Sequence, residues 1–341
     1  MAVGRRRREE VRMRLRKTAA AAIAMMCLAL SVGCGAKTAD NIPVYVDRME
    51  IADVILEDEA VALGASPGAA PAAAADMAKV EASGIKEKRS GNGLIDHSNT
   101  KDGYVMVQYT ADTSKRLKAQ VKGPSATYTY NINAKEWTVF PLSDGNGSYQ
   151  VSLFENVTAD RYAVVVSTTF SVELANEFAP FIRPNQYVNY EHAENTKAKA
   201  AELTQGTTDP LKKVETVYDY VIGNLTYDME KAASVKSGYL PVLDTVLAEK
   251  KGICFDYAAL MTGMLRSQGV PCKLVVGYAG TIYHAWISVW TEGTGWVDGV
   301  IYFDGNAWHR MDPTFASSNN NNAAILEYIG NGANYTTKYL Y

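Results

Sequence analysis

The period of the hydrophobic pattern shifts from strand-like to helical near residue 191, and that change constrains the fold more than any other feature. From about 97 to 190 the sequence holds short runs rich in Val, Tyr and Thr: Tyr104–Thr110, Ala126–Ile132, Ser148–Phe154 and Arg161–Ser167. Several alternate apolar with polar, and turn residues separate them, as β-strands require. Asp144-Gly145-Asn146-Gly147 reads as a hairpin turn, because Gly and Asn tolerate positive φ. Beyond 191 the spacing becomes helical. Asp209–Leu225 starts on Asp-Pro and carries Val214, Val217, Tyr218, Val221, Ile222 and Leu225 on one stripe. A short helix over Pro241–Lys250 follows. A third helix begins after Cys254, with Tyr257, Ala258, Leu260, Met261, Met264 and Leu265 on its apolar face and Gly269 and Pro271 ending it. Lys273–Tyr278, His284–Trp290 and Ile301–Phe303 then return to strand character. Short strands at regular spacing predict an immunoglobulin-like β-sandwich over 97–190. Helices followed by an antiparallel sheet predict an α+β domain over 191–341.

The first 33 residues have another purpose. Eight basic residues stand against two acidic ones in 1–33, all before an uncharged stretch over 18–33. A basic start, a short apolar run and small residues before a cut describe a secretory signal. The run is too short for a comfortable bilayer span. It ends at Ser31-Val32-Gly33-Cys34, which resembles the lipobox of bacterial lipoproteins, where the Cys becomes the lipid-bearing first residue. Ser31 departs from the Leu usual there, and simple secretion with Cys34 incidental is the alternative. The expectation is a protein anchored by lipid at Cys34 to the outer face of a bacterial membrane, with 34–96 as an N-terminal segment and tether. Gly64–Asp76, low-complexity Ala, Pro and Gly, is the core of that tether. Residues 42–63 have no assignable role.

The full chain has 341 residues, with 34 Lys and Arg and 37 Asp and Glu, but without 1–33 the balance is 26 basic to 35 acidic. An acidic body is a poor binder of nucleic acid by charge.

Cys34, Cys254 and Cys272 survive removal of the signal. In an oxidising compartment the default for Cys254 and Cys272 is a disulfide. A helix over Phe255–Ser267, at ~1.5 Å rise per residue, would hold them roughly 20 Å apart, whereas a disulfide needs Cα atoms about 4.4–6.8 Å apart. Cys272 is therefore expected as a small buried hydrophobe. There is no C-x-x-C pair and the His residues are scattered, so no metal site and no cofactor is implied.

Cys254 is left unpaired, in Lys251-Gly252-Ile253-Cys254-Phe255-Asp256-Tyr257, at the first turn of a helix. The positive end of the helix dipole and the free N–H groups there favour a thiolate and can receive an oxyanion. His284, in Tyr283-His284-Ala285-Trp286, and Asp312, in Arg310-Met311-Asp312-Pro313-Thr314-Phe315, follow on strand-like segments and could complete a nucleophile–base–orienter set.

The ordered set G-I-C-F-D-Y-A, H-A-W and D-P-T-F resembles the transglutaminase-like superfamily, whose core is similar to papain-like cysteine proteinases. The resemblance covers roughly 200–320 and is reinforced by Asn224–Asp228 upstream, Arg266–Val270 leading into Lys273–Tyr278, and Gly295-Trp296. It implies a Cys254 thiolate attacking a carboxamide, His284 moving the proton and Asp312 fixing the His tautomer. Each residue also has a plainer reading. Cys254 could be an inert buried thiol, His284 a core histidine and Asp312 the opening of an Asp-Pro turn. Tyr227 is a candidate oxyanion donor or a packed Tyr. Asp256 is expected to stabilise the helix start rather than react. His284, Trp286, Ser288 and Trp290 share one face by period two and are expected to line a polar–aromatic groove.

The function expected is thiol-dependent hydrolysis of peptide or amide bonds outside the membrane, on a protein or peptide substrate such as cell-wall peptide. Protein cross-linking and a non-catalytic wall- or surface-binding module are the alternatives.

Overall fold

The computed structural model describes residues 79–279, 282–292, 295–297, 302–303, 308–309 and 335–341. The signal, Cys34, the segment 42–63, the Ala/Pro/Gly stretch and Asp312 lie outside the described residues. Among those that are described, no helix is long and apolar enough to cross a membrane.

Residues 87–172 form an all-β region. Strands β1 (Glu87–Ser90), β2 (Gly93–Asp96), β3 (Tyr104–Tyr109) and β6 (Thr138–Pro141) make one sheet in the order β1-β2-β3-β6. Strands β4 (Leu117–Lys122), β5 (Thr127–Ile132), β7 (Gly147–Thr158) and β8 (Arg161–Val172) make a second in the order β5-β4-β7-β8. Every pairing in the two sheets is antiparallel. The sheets meet closely: a Cβ on Gly93 would lie 2.5 Å from Val166 Cγ1. Ile95, Val105 and Val107 of one sheet share a core with Val121, Val151 and Leu153 of the other.

Two sequence expectations are corrected here. The β1–β2 hairpin falls inside the stretch expected to be tether, so the ordered body begins at least ten residues before 97. Its polar strand Glu87–Ser90 is exposed throughout, which is why no apolar pattern marks it. The turn at Asp144–Gly147, with positive φ at Gly145 and Gly147, closes no hairpin. It carries the chain from β6 in one sheet to β7 in the other. The Asp144 carboxylate holds the opposite loop by accepting from the backbone N–H groups of Ser125 and Ala126 and from the Ser125 hydroxyl.

The second part mixes helices and strands: α1 (Glu194–Leu203), α2 (Pro210–Asn224), β9 (Thr226–Tyr227), α3 (Met229–Ser234), α4 (Leu243–Glu249), β10 (Lys251–Gly252) and α5 (Cys254–Ser267). Strands β11 (Cys272–Ala279), β12 (Ile282–Thr291), β13 (Gly295–Val297) and β16 (Tyr335–Leu340) form an antiparallel sheet in the order β13-β12-β11-β16; β14 (Tyr302–Phe303) and β15 (Trp308–His309) pair separately. The α2 stripe is buried as its spacing predicts, at Val214, Val217, Tyr218 and Val221. Helix α5 is buried along nearly its whole length and is the central rod of this part.

The two parts share one hydrophobic core. Tyr128 of β5 meets Tyr339 and Tyr341 at ring-centroid distances of 5.5 and 5.8 Å, and Tyr130 meets Tyr187 at 5.7 Å. Arg266 near the end of α5 is fully buried and donates three hydrogen bonds: Nε to Cys272 O (2.8 Å), Nη1 to Arg183 O (2.7 Å) and Nη2 to Tyr341 O (2.7 Å). Arg183 in turn donates to the Asp102 backbone and carboxylate, in the all-β region.

Helix α1 starts on Ala193, which has no side chain to cap it. Asp244, in the first turn of α4, supplies the missing acceptor by taking hydrogen bonds from the backbone and side chains of Asn195 and Thr196. Burial alone would raise the Asp244 carboxyl, but these hydrogen bonds outweigh it and hold the group below the usual carboxylate range. Its contribution is therefore present above the unfolded value and is lost as pH falls through the lower folded one. Asp244→Ala is expected to cost about 1 kcal/mol, the usual worth of a cap. The gap between variant and wild type in urea midpoint should close in acid; a gap of the same size at pH 2 and pH 7 would overturn this.

Candidate active site

The chain approaches Cys254 through a short parallel pair, β9 on β10, with Thr226 opposite Lys251 and Tyr227 opposite Gly252. Thr226 N–H donates to Lys250 O (3.0 Å) and Asp228 N–H to Gly252 O (2.8 Å). The glycine at 252 is required by a close approach: a Cβ there would sit 2.6 Å from Asp256 Cβ. Helix α5 begins at Cys254 itself.

Asp256, two residues on, is fully buried and secures this helix start. Its Oδ2 accepts from Ile253 N–H (2.8 Å) and pairs with Lys231 Nζ (2.7 Å), and its Oδ1 accepts from the Tyr239 hydroxyl. The expectation that Asp256 steadies the helix start agrees with these contacts. Burial, with the Asp256 charge second, raises the Tyr239 hydroxyl well above its ordinary range and keeps it a donor. The Tyr239 ring meets Phe255 at 6.4 Å. Lys231 and Tyr239 have no counterpart in the sequence reading; an acidic residue two positions after a candidate nucleophile, in the first turn of an apolar helix, was the signal that a cation had to be near.

Cys254 is 5% exposed and His284 4% exposed, and both wall one cavity of about 310 Å³, counting the open space at its mouth. Phe255, Tyr187 and Tyr341 contribute aromatic walls, and Val276, Tyr283 and Ala285 close it from the sheet. Cys272 Sγ lies 3.6 Å from Thr262 Oγ1 of α5, which identifies the sheet face that looks at this helix. By register, Val276, Tyr283 and Ala285 are on that face, and His284 is on the other with Trp286. The cavity lies where β12 begins and takes in residues of both faces.

The expected polar–aromatic groove is not what the rest of this face builds. Trp286, Ser288 and Trp290 are buried, and none of them walls the cavity. Trp286 packs edge-on against Tyr335 at 5.2 Å, while Trp290 meets Phe178 at 4.7 Å and donates to Glu177 at 3.3 Å. Gly277, opposite His284 on β11, makes room for this packing. A Cβ on it would lie 2.0 Å from Thr336 O and 2.8 Å from Trp286 Cη2. The Trp286 ring stacks near the His284 imidazole, with centroids 6.3 Å apart, so it supports the wall from behind. Tyr227 is half-buried beside Gly252, packed against the core, and does not wall the cavity.

Cys254 and Cys272 are both free thiols, as the helix length between them predicts. Burial pushes the Cys272 thiol up to about 12, leaving it inert at neutral pH. Tyr187 and Tyr341 come from segments far outside the Cys–His interval, and no local pattern marks either.

A family model for the transglutaminase-like superfamily matches residues 197–299, which takes in Cys254 and His284. Two curated relatives are similar over about half of the chain. YebA of Bacillus subtilis is 24% identical over 202 residues, covering 53% of this chain and 27% of that protein. MJ1282 of Methanocaldococcus jannaschii is 27% identical over 187 residues, covering 49% of this chain and 52% of that protein. The matched stretch thus spans only a quarter and a half of these relatives' own lengths. Among solved structures, the periplasmic domain of TgpA from Pseudomonas aeruginosa aligns over 71% of this chain and 99% of that one, with 14% identity and a TM-score of 0.31. Residues 197–299, with Cys254 opening the buried helix at their centre, are a transglutaminase-like domain.

Proposed function

We propose that this protein is a thiol-dependent acyl-transfer enzyme that hydrolyses peptide or amide bonds through an acyl-enzyme on Cys254. One observation supports this most: the candidate nucleophile, at a helix N-terminus, and the candidate base wall the same cavity. In this reading the His284 imidazole takes the thiol proton and the sulfur attacks the carbonyl carbon. The proton then passes to the departing amine, and water, deprotonated by the same imidazole, releases the acid. Asp312 would orient the imidazole. Water is always available in the exposed setting proposed, and nothing in the sequence indicates a dedicated amine-donor site that would favour cross-linking over hydrolysis. We read the paired sheets as an immunoglobulin-like body, and the enzyme as exported and lipid-anchored at Cys34, acting on protein or peptide such as cell-wall peptide.

An activity-based acyl electrophile followed by peptide mapping tests the centre of this reading. The label is expected on the peptide that contains Cys254. Label on Cys272, or on no cysteine, would overturn it. Mass spectrometry of the mature N-terminus tests the address; an unmodified Cys34, or a cut elsewhere, removes the anchor.

A further inference from the structure

The residue that secures the start of α5 also opposes the chemistry read for Cys254. A thiolate forms readily at a helix N-terminus, where free N–H groups and the helix dipole favour negative charge. Here a carboxylate already occupies that end. Asp256 is fully buried, and its Oδ2 accepts from the N–H of Ile253, the residue immediately before Cys254. Two negative charges sharing one buried turn disfavour each other. The hydrogen bond itself does not need a charge, because an amide oxygen accepts from an N–H too.

Lys231 stands against that carboxylate, with Nζ 2.7 Å from Asp256 Oδ2. Its place is fixed at both ends of the residue. Asp228, which caps α3, accepts from the Lys231 N–H (2.9 Å) and donates its own N–H to Gly252 O, so α3 is tied to the strand that delivers Cys254. At the other end Nζ lies 4.1 Å from the centre of the Tyr239 ring. The Tyr239 hydroxyl, on the other carboxylate oxygen, keeps its proton and adds no charge. The neighbouring pair, Lys251 with Asp228 at 3.2 Å, cancels within itself and is more open to water. Of the described residues that wall the cavity with Cys254, His284 is the one able to become a cation; Tyr283 and Tyr341, raised by burial, stay neutral.

Resting on the reading of Cys254 as the nucleophile, we propose that Lys231 is a positioning residue for the reaction: held against Asp256, it cancels the charge at the start of α5 so that the adjacent thiol can release its proton to His284. Lys231 transfers no proton and touches no substrate. It acts through Asp256, keeping one more negative charge tolerable in a turn that already holds one.

Iodoacetamide alkylation of Cys254, read by mass spectrometry and followed against pH, reports the thiolate without any substrate. Lys231→Met should move the rate profile to higher pH by about one unit, and Lys231→Arg, which keeps the charge, should leave it near the wild-type position. Asp256→Asn should move the profile the other way, to lower pH. The double variant Lys231→Met/Asp256→Asn should return it close to wild type. A pair with a structural role alone would give two single variants that lose rate together at every pH. That result, or a profile moved by neither change, would overturn the proposal. If Lys231→Met does not fold, Asp256→Asn decides alone, and a profile that stays or moves upward overturns it. Acylation of the wild type by p-nitrophenyl acetate keeps the two readings apart. A protein that acylates at Cys254 while the variant profiles stay put loses only the role of Lys231; one that does not acylate there loses the nucleophile as well.

Discussion

Replacing Cys254 with Ala should lower turnover of ester and peptide substrates by roughly a thousandfold or more, with little change in melting temperature. The side chain is almost wholly buried at the first turn of α5, beside a cavity already present, so losing one sulfur adds little strain. Cys254→Ser should be nearly as inactive, because a hydroxyl is a far weaker nucleophile without a matched base. Cys272→Ala serves as the control. Its thiol is fully buried and raised to about 12, so removing it should leave both labelling and turnover intact. His284→Ala should slow acylation as well, since the thiol then has no acceptor for its proton. A Cys254→Ala protein that keeps its full biological effect would favour a binding module over an enzyme.

Arg266→Met should be the most destabilising single change in the described body, at about 3–5 kcal/mol. The guanidinium is fully buried and lowered by that burial to about 10, so it remains charged at neutral pH. Three main-chain oxygens, of Cys272, Arg183 and Tyr341, satisfy its planar fork. Met would fill much of the space but take the guanidinium donors from Cys272 O and Arg183 O, each a cost of about 1–3 kcal/mol, partly offset by no longer dehydrating a charge, while Tyr341 O keeps the Leu274 N–H. Lys should not rescue the loss, because a single ammonium cannot meet three oxygens set for a fork. Urea unfolding checks this: a midpoint shift worth less than about 1 kcal/mol at unchanged slope would show that the staple is dispensable.

The reach of the sequence differed by element for physical reasons. Helix α2 was plain because it buries one stripe of a regular repeat, and α5, though buried on every side, because its large apolar residues keep helical spacing between Gly252 and Gly269. The disulfide could be dismissed because helix rise fixes a distance that no packing can shorten. Strand β1 was missed because all four of its residues face water, leaving no apolar period. The role of Asp144–Gly147 was misread because turn chemistry sets a local bend and not which sheet receives the next strand. Cys254 and His284 were found from an unpaired thiol at a helix start, a His on a following strand and the order of the motifs around them, and they do wall one cavity. The residues completing that cavity were invisible: Tyr187 and Tyr341 approach from distant segments, and a wall residue such as Tyr283 reads like any strand aromatic. Trp286 was placed in the open because alternation along a strand identifies a shared face but not what covers it.

The tyrosines joining β5 to β16 bear on how this protein could be divided. A fragment starting near residue 191 would uncover the rings of Tyr339 and Tyr341 with Tyr128 gone, and would lose Arg183, whose carbonyl oxygen accepts from Arg266. The all-β part is thus a permanent lid over one flank of the domain that holds Cys254, and excising either half should yield sticky, poorly soluble material rather than a working module.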